Sequence, residues 1–145
     1  AGVENLYMES VFSGNDDEDH AWRAILIDGA SDSWVRQVTA QYFGYAAVDI
    51  TGEATRVTVE DSAMLDPKSQ TTGGRKYSFS ISNGQRILFQ RLYTRGGRHD
   101  FVTGSRVKGP NCFAHCVAED TQNDAGPHHR YAHGLLFDSI VCGQL

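Results

Sequence analysis

Hydrophobic and polar residues alternate along most of the chain with the two-residue period of β-strands, and almost nowhere with a helical period. Six segments share an apolar first residue and a polar third residue. They start at Val3, Val35, Val59, Phe89, Phe113 and Phe137. Their spacings of 32, 24, 30, 24 and 24 residues suit successive turns of a coil of parallel strands, with loop insertions in the longer turns. The polar third residue predicts a bend, because Asn and Asp tolerate the left-handed backbone conformation.

A second set of strands precedes the last five segments, and each of these strands ends at a glycine. The strands are 24–29, 47–52, 78–84, 97–104 and 127–134. Glycine at these positions permits a turn with positive φ at no steric cost. The last two stretches resemble each other, and we align them on Gly104 and Gly134. This alignment predicts that His99 and His129 point into the coil.

Together the two sets of strands predict an all-β chain that forms a single domain, residues 1–145, folded as a parallel β-helix of about five to six turns. No pattern typical of an end cap is present at either end of the sequence. Uncapped end turns would expose the core and unpaired strand edges. We therefore expect either an excerpt of a longer β-helix or ends that are covered by another copy or a partner.

Composition narrows the possible partners. The net charge of −5 argues against a nucleic-acid partner, because phosphate contacts need clustered Lys and Arg. No apolar run approaches the roughly 20 residues of a membrane-spanning helix. Cys112, Cys116 and Cys142 do not have the spacing of a zinc site. Either one disulfide with a free thiol or three buried thiols would fit this sequence.

The repeat pattern resembles that of the right-handed parallel β-helix proteins of the pectin-lyase-like superfamily, most closely from Ser80 to Ile140. The run from Gly109-Pro110-Asn111 to Gly126-Pro127-His128-His129-Arg130-Tyr131 is similar to a segment of large secreted β-helix proteins of poorly defined function. The resemblance implies a right-handed coil, a secreted or cell-surface protein, and a function among polysaccharide lyases, hydrolases, esterases and non-catalytic adhesins or fibres. It implies no single activity, since a fold does not determine function.

The candidate site is a set of charged residues that the strand alternation places outward on neighbouring turns, about 4.8 Å apart. The set comprises Arg98, Asp100, His128 and Arg130, with Arg75 and Lys76 just upstream. It suits an acidic polysaccharide, because arginine binds carboxylates bidentately. For cleavage by β-elimination, Arg130 would neutralise the uronate and His128 or Arg98 would act as the base. The alternative is a solvated ladder of charges between turns, which contributes little.

Two further features have both a functional and a structural interpretation. Tyr42 and Tyr45 beside Gly44 would form a sugar-stacking shelf, or would cap a corner of the coil. The acidic loop Asp16–Asp19 carries the oxygen ligands that calcium prefers, but consecutive acids cannot all point at one ion, and a solvated loop is the alternative. No other cofactor or metal site is predicted.

We therefore expect an extracellular module that binds acidic polysaccharide and, in the enzymatic version, cleaves it as a lyase does. The alternative function belongs to a different class. A structural module without an active site would stack its open ends on identical copies, a head-to-tail contact that builds filaments or oligomers.

Overall fold

The computed structural model describes residues 1–145 as thirteen β-strands without a helix, which confirms the predicted all-β class. The strands are β1 (Gly2–Glu9), β2 (Arg23–Asp28), β3 (Ser31–Gln41), β4 (Ala46–Thr51), β5 (Ala54–Glu60), β6 (Ala63–Leu65), β7 (Phe79–Ile81), β8 (Gly84–Gln90), β9 (Tyr93–Arg95), β10 (Phe101–Thr103), β11 (Lys108–Ala114), β12 (Val117–Glu119) and β13 (His133–Asp138). Every pairing between these strands is parallel.

Strands in the middle of the chain pair with the strand three places further on. β4 pairs with β7 and β7 with β10, in a four-stranded sheet of order β10-β7-β4-β2. β5 pairs with β8 and β8 with β11, while β6 pairs with β9 and β9 with β12. These strands belong to one nine-stranded sheet, because the long strand β3 pairs with β5 through its first half and with β6 through its second. The middle of the chain thus consists of repeated three-strand units: β4–β6, β7–β9 and β10–β12.

The six hydrophobic segments of the sequence lie beside one another in the predicted register. Val3 pairs with Val35, Val35 with Val59, Val59 with Phe89, Phe89 with Phe113, and Phe113 with Phe137. The polar third residue of every segment has a positive φ, between 50° and 56°. These residues are Asn5, Gln37, Asp61, Arg91, His115 and Ser139. The predicted bend is therefore confirmed in all six segments.

The apolar first residues of the later segments stack inside the molecule. The ring centroids of Phe89 and Phe113 are 5.0 Å apart, and those of Phe113 and Phe137 are 5.1 Å apart. Phe101 of the smaller sheet contacts the same stack, at 6.1 Å from Phe113. Phe89, Phe101 and Phe113 belong to a continuous core of 23 buried residues between the sheets, and the partly buried Phe137 packs against it. Burial of a side chain of this size stabilises the fold by about 1.5–3 kcal/mol.

The register of the smaller sheet corrects the alignment based on closing glycines. Phe101 pairs with Phe79 and Thr103 with Ile81, an offset of 22 residues where the glycines predict 20. In the next unit Val102 forms an isolated parallel bridge with Gly126. The alignment of 97–104 with 127–134, an offset of 30 residues, is therefore wrong.

Strand pairing in this sheet stops at Gly126, and residues 127–132 form no strand. Proline at 127 explains the stop, because it has no backbone N–H to donate to a ladder. His129 and Tyr131 are consequently exposed, Tyr131 by 77%, so the prediction that His129 points inward is wrong. His99 meets the same prediction only in being fully buried, because its ring packs against Tyr77 and His128 and not in the core between the sheets.

Replacing Phe113 with alanine tests the central stack. We expect the free energy of unfolding to fall by about 3–5 kcal/mol, because a fully enclosed ring is lost with its contacts on three sides. Denaturant unfolding followed by circular dichroism measures the change. Phe137→Ala is the matched control, because its ring is only partly buried and stacks on Phe113 alone; the same loss in both variants would contradict the interpretation.

Candidate functional site

A row of aromatic side chains packs along the smaller sheet, outside the main core. The row contains Trp22, Tyr45, Tyr77, His99 and His128. Consecutive ring centroids are 6.2, 5.5, 5.1 and 3.8 Å apart. Tyr45, Tyr77 and Val102 form a small hydrophobic cluster of their own, distinct from the core between the sheets. This aromatic row covers the surface on which the sequence predicts an open binding face.

Asp100 is enclosed, which corrects its prediction as a substrate-binding residue. Its side chain is fully buried, and Ser78 Oγ donates a hydrogen bond to Asp100 Oδ1 at 2.5 Å. A Cβ atom at Gly97 would overlap the same carboxylate, so the loop closes directly over it. Burial raises the pKa of this carboxyl above its ordinary value, although the Ser78 hydrogen bond acts in the opposite direction. Asp100 therefore cannot contact a polysaccharide.

The two basic residues predicted just upstream are occupied within the protein. Lys76 is buried and its ammonium donates to Thr71 Oγ1 at 3.0 Å, while burial lowers its pKa. Arg75 forms a two-point ion pair with Glu18, at 2.7 and 3.1 Å. Neither side chain presents a free charge to a ligand, so the prediction that they bind substrate is not supported.

The two tyrosines do not form an exposed shelf. Tyr45 is buried, its hydroxyl lies 3.4 Å from Ser80 Oγ, and burial raises the pKa of its phenol. Tyr42 is half-buried at a corner with φ of 68°, where its ring packs 4.8 Å from that of Phe12. The structural alternative, a corner covered by aromatic residues, describes both side chains.

The three residues proposed for catalysis do not share one open face. Arg98 is half-buried, with one terminal guanidinium nitrogen enclosed and without a partner. His128 packs against His99 at the end of the aromatic row. Arg130 is exposed and lies beside Arg106, whose backbone N–H donates to the Arg130 carbonyl at 3.0 Å. The three residues thus have different surroundings: Arg98 is partly enclosed, His128 belongs to a histidine cluster and Arg130 lies at a corner with Arg106.

The histidine cluster joins His99, Asp124 and His128, whose donor atoms all lie within 4.8 Å of one another. His99 Nδ1 is 3.4 Å from Asp124 Oδ1, and His128 Nδ1 is 3.7 Å from Asp124 Oδ2. His99 Nδ1 also donates to the backbone carbonyl of Asp124 at 2.7 Å. Burial lowers the pKa of His99, so the neutral ring is favoured. The sequence analysis missed this cluster because its alignment placed His99 and His128 in different columns.

A polar groove with a volume of about 630 Å³ lies at the corners that lead from the smaller sheet into the larger one. It crosses three successive corners, between β4 and β5, β7 and β8, and β10 and β11. No apolar residue lines it; the lining residues are Glu53, Thr55, Ser82, Asn83, Gly84, Gln85, Ser105, Arg106 and Lys108. The sequence did not predict this groove. The signal that could have indicated it is the recurrence of polar residues just after each glycine-ended strand.

The groove carries free positive charge. Six arginines elsewhere form ion pairs, five of them with residues 24 to 57 positions earlier in the chain. Arg106 and Lys108 make no ion pair or side-chain hydrogen bond, and Glu53 is the one acid beside them in the groove. Charge pairs between turns therefore occur at those six arginines, but the ladder given as the alternative for the predicted site does not form, because Arg98, Asp100 and Arg130 make no ion pair.

The acidic loop uses its carboxylates internally. Asp17 accepts hydrogen bonds from the backbone N–H and hydroxyl of Ser13, at 2.7 and 2.9 Å, and from the backbone N–H of Asp19. Glu18 is occupied by Arg75. Asp17 and Glu18 therefore point to different partners, and the four acids do not come together as a group of metal ligands.

All three cysteines are free thiols, so no disulfide forms, but only Cys116 is buried as the second alternative requires. Cys116 is fully buried, and burial raises the pKa of its thiol to about 11. Cys112 and Cys142 are half-buried, and burial raises their pKa values as well. None of the three therefore has the lowered pKa of a nucleophilic cysteine.

Comparisons with known proteins leave the chain without a named relative. No protein-family model, curated protein or solved structure matches it. None of its secondary-structure elements is a helix with the length and hydropathy needed to cross a membrane.

Alkylation with iodoacetamide at pH 8 tests the thiol environments. We expect Cys112 and Cys142 to react roughly tenfold faster than Cys116 in the folded protein, because a buried thiol with a raised pKa supplies almost no accessible thiolate. Peptide mass spectrometry follows each site. In denaturant the three rates should converge, and equal rates in the folded protein would contradict the burial of Cys116.

Proposed function

We propose that this chain is a run of turns of a right-handed parallel β-helix, of the pectin-lyase-like kind, and that it binds acidic polysaccharide in the polar groove. The three-strand units support the first part. Only Gly52 and Glu53 separate β4 from β5, and only Asp61 and Ser62 separate β5 from β6, yet these chain neighbours do not pair. Each pairs instead with its equivalent in the next unit, as in a coil. Right-handedness follows the general rule for parallel crossover connections.

The unpaired basic residues of the groove are the observation that carries the proposed binding. A groove lined by hydroxyl, amide and charged groups suits a hydrated, hydrogen-bonding ligand and not an apolar one. Arg106 and Lys108 add positive charge that no acid within the protein neutralises by an ion pair, in a chain whose net charge is −5. Arginine pairs with carboxylates through two parallel hydrogen bonds. A polymer that carries uronate carboxylates matches these features.

The position of Arg130 connects this groove with the site expected from the sequence. Its carbonyl accepts the N–H of Arg106, and its exposed side chain forms no ion pair. Arg130 thus remains a candidate for contact with carboxylates. Polysaccharides of this kind lie outside cells, so the proposal also makes the protein secreted or bound at the cell surface.

Binding without cleavage is the version that the geometry supports. β-Elimination needs a base within hydrogen-bonding reach of the proton and a cation at the uronate carboxylate. Arg98, His128 and Arg130 do not line the polar groove. An arginine or lysine of the groove would have to serve as the base in a lyase.

The double variant Arg106→Gln/Lys108→Gln tests the groove. We expect its affinity for polygalacturonate or alginate to fall about tenfold or more at low salt, because each lost charge-assisted hydrogen bond contributes about 1.5–3 kcal/mol before screening. Calorimetry at two salt concentrations measures the change. Wild-type affinity should fall as salt rises, since salt screens exposed charges.

Arg36→Gln/Arg91→Gln is the matched control, because it removes the same charge from paired arginines away from the groove. Equal losses in the two variants would leave only a general charge effect and reject the groove. Absence of binding by the wild-type chain to every uronate polymer would reject the proposed function. In the same mixtures, unsaturated uronate products that disappear in the groove variant would add the lyase activity.

A second candidate function, an assembly module, is favoured by the unpaired strand edges. β1 pairs only with β3, and β13 pairs only with β11. The outer edges of β1 and β13 are therefore free within this chain. The register repeats from Val3 to Phe137, so the free edges present backbone donors and acceptors at the same spacing as the paired strands inside the chain. A parallel strand from a second copy could therefore pair with either edge. Such a contact is head to tail and builds filaments.

Sedimentation of the 145-residue chain at rising concentration tests the assembly. We expect the mass to grow without a fixed limit, and electron microscopy to show filaments, since a contact that does not close has no final size. A Lys substitution at Leu6 in β1, an exposed position in an edge strand, should stop the growth without loss of β content. A stable monomer at all concentrations would reject this function.

A further inference from the structure

The cluster of His99, Asp124 and His128 is separate from the groove and has the composition of a metal site. Two imidazole rings lie with their centroids 3.8 Å apart, and the carboxylate of Asp124 directs one oxygen toward each. Ligands around a four-coordinate zinc ion, with bonds of about 2.0–2.1 Å, lie roughly 3.3–3.5 Å from one another. One ring nitrogen of each histidine and one Asp124 carboxylate oxygen lie within 4.8 Å of one another, so small side-chain rotations would bring them to that spacing.

The hydrogen bonding of His99 leaves a donor atom in need of a partner. A carbonyl oxygen only accepts, so the 2.7 Å contact with the Asp124 carbonyl places the ring proton on His99 Nδ1. His99 Nε2 then carries the lone pair, and this atom is buried without any hydrogen-bond partner. Histidine ligands commonly donate their other ring N–H to a backbone carbonyl, which orients the ring for the metal. A cation bound at Nε2 would therefore satisfy the orphaned nitrogen and keep the existing hydrogen bond.

The charge and access of the cluster also suit a cation. Asp124 forms no ion pair with any lysine or arginine, so no lysine or arginine of the protein neutralises its charge by direct contact. Asp124 and His128 are half-exposed, which gives an ion a route from solvent, while His99 is enclosed behind them. Imidazole and carboxylate together favour transition metals such as zinc and nickel, whereas calcium and magnesium prefer oxygen ligands alone.

We propose that His99, Asp124 and His128 bind a divalent transition-metal ion of the zinc class, through one ring nitrogen of each histidine and the Asp124 carboxylate, with a further position open to water. The site lies where regular pairing of the smaller sheet has ended. Asp124 precedes Gly126, the last bridged residue of that sheet, by two residues, and His128 follows it by two. Bound metal would join the loop of Asp124 and His128 to the unit that carries His99. It would therefore act as a local clamp on that loop.

Calorimetric titration of the 145-residue chain with zinc chloride, and separately with nickel chloride, tests the site. We expect one equivalent to bind and to raise the thermal midpoint, because an ion that binds only the folded state stabilises it by mass action. Asp124→Asn and His128→Gln should each weaken binding by about tenfold or more, since even groups that only support a ligand contribute that much. Both variants should lose most of the metal-dependent rise in midpoint.

His133→Gln is the matched control, because this exposed histidine lies in β13 outside the cluster. It should bind metal as the wild type does. A different result would place the ion on thiols and overturn the proposal: zinc, but not nickel, still binds to Asp124→Asn and His128→Gln, and this binding is lost after alkylation of the cysteines. Absence of binding in the wild type, or equal weakening in the control, would overturn it as well. Metal-free circular dichroism of each variant separates loss of ligands from loss of the fold.

Discussion

The bend at the third position of each hydrophobic segment is the constraint on which the rest of the structure depends. A left-handed backbone conformation costs about 1–2 kcal/mol at a residue other than glycine. Sixteen residues other than glycine adopt it, and six of them are the third residues of these segments, from Asn5 to Ser139. Because each bend occurs at the same place, the strands before and after it stay in register with those of the next unit. That register allows the parallel strand ladders and the Phe89–Phe113–Phe137 stack to form. Their stabilisation offsets the conformational cost of the bends.

The same repetition decides where polar groups remain available. Corners that lie at equivalent positions stack along the molecule, so the short links after β4, β7 and β10 form one groove with free basic residues. Longer loops instead fold back, and their aromatic residues Trp22 and Tyr77 cover the smaller sheet. Charged side chains near that sheet are consequently enclosed, as Asp100 is, or hydrogen-bonded, as Lys76 is. The proposed polysaccharide site therefore lies at the corners and not on the sheet.

The histidine cluster occurs where the repetition fails. Regular pairing of the smaller sheet ends at Gly126, before Pro127, and the chain leaves the sheet there. Asp124 and His128 then pack on His99 with polar contacts in place of a strand ladder. A buried nitrogen without a partner is uncommon in a folded protein, so its presence at this junction is the strongest sign that the cluster binds something. The groove is thus formed by corners that repeat from unit to unit, whereas the histidine cluster is formed where the regular strand pairing stops.

The sequence by itself determined the all-β class, the register of six segments and the site of the bend inside each of these segments, because strand alternation and the stacking of equivalent residues are local properties that repeat. It did not determine the pairing of the smaller sheet beyond Ile81. A register shift of two residues preserves alternation, so closing glycines could not exclude it. Only the tertiary structure decided that Asp100 is enclosed, that Arg106 lies free in a groove and that His128 meets His99, because these outcomes depend on how loops distant in sequence cover the strands.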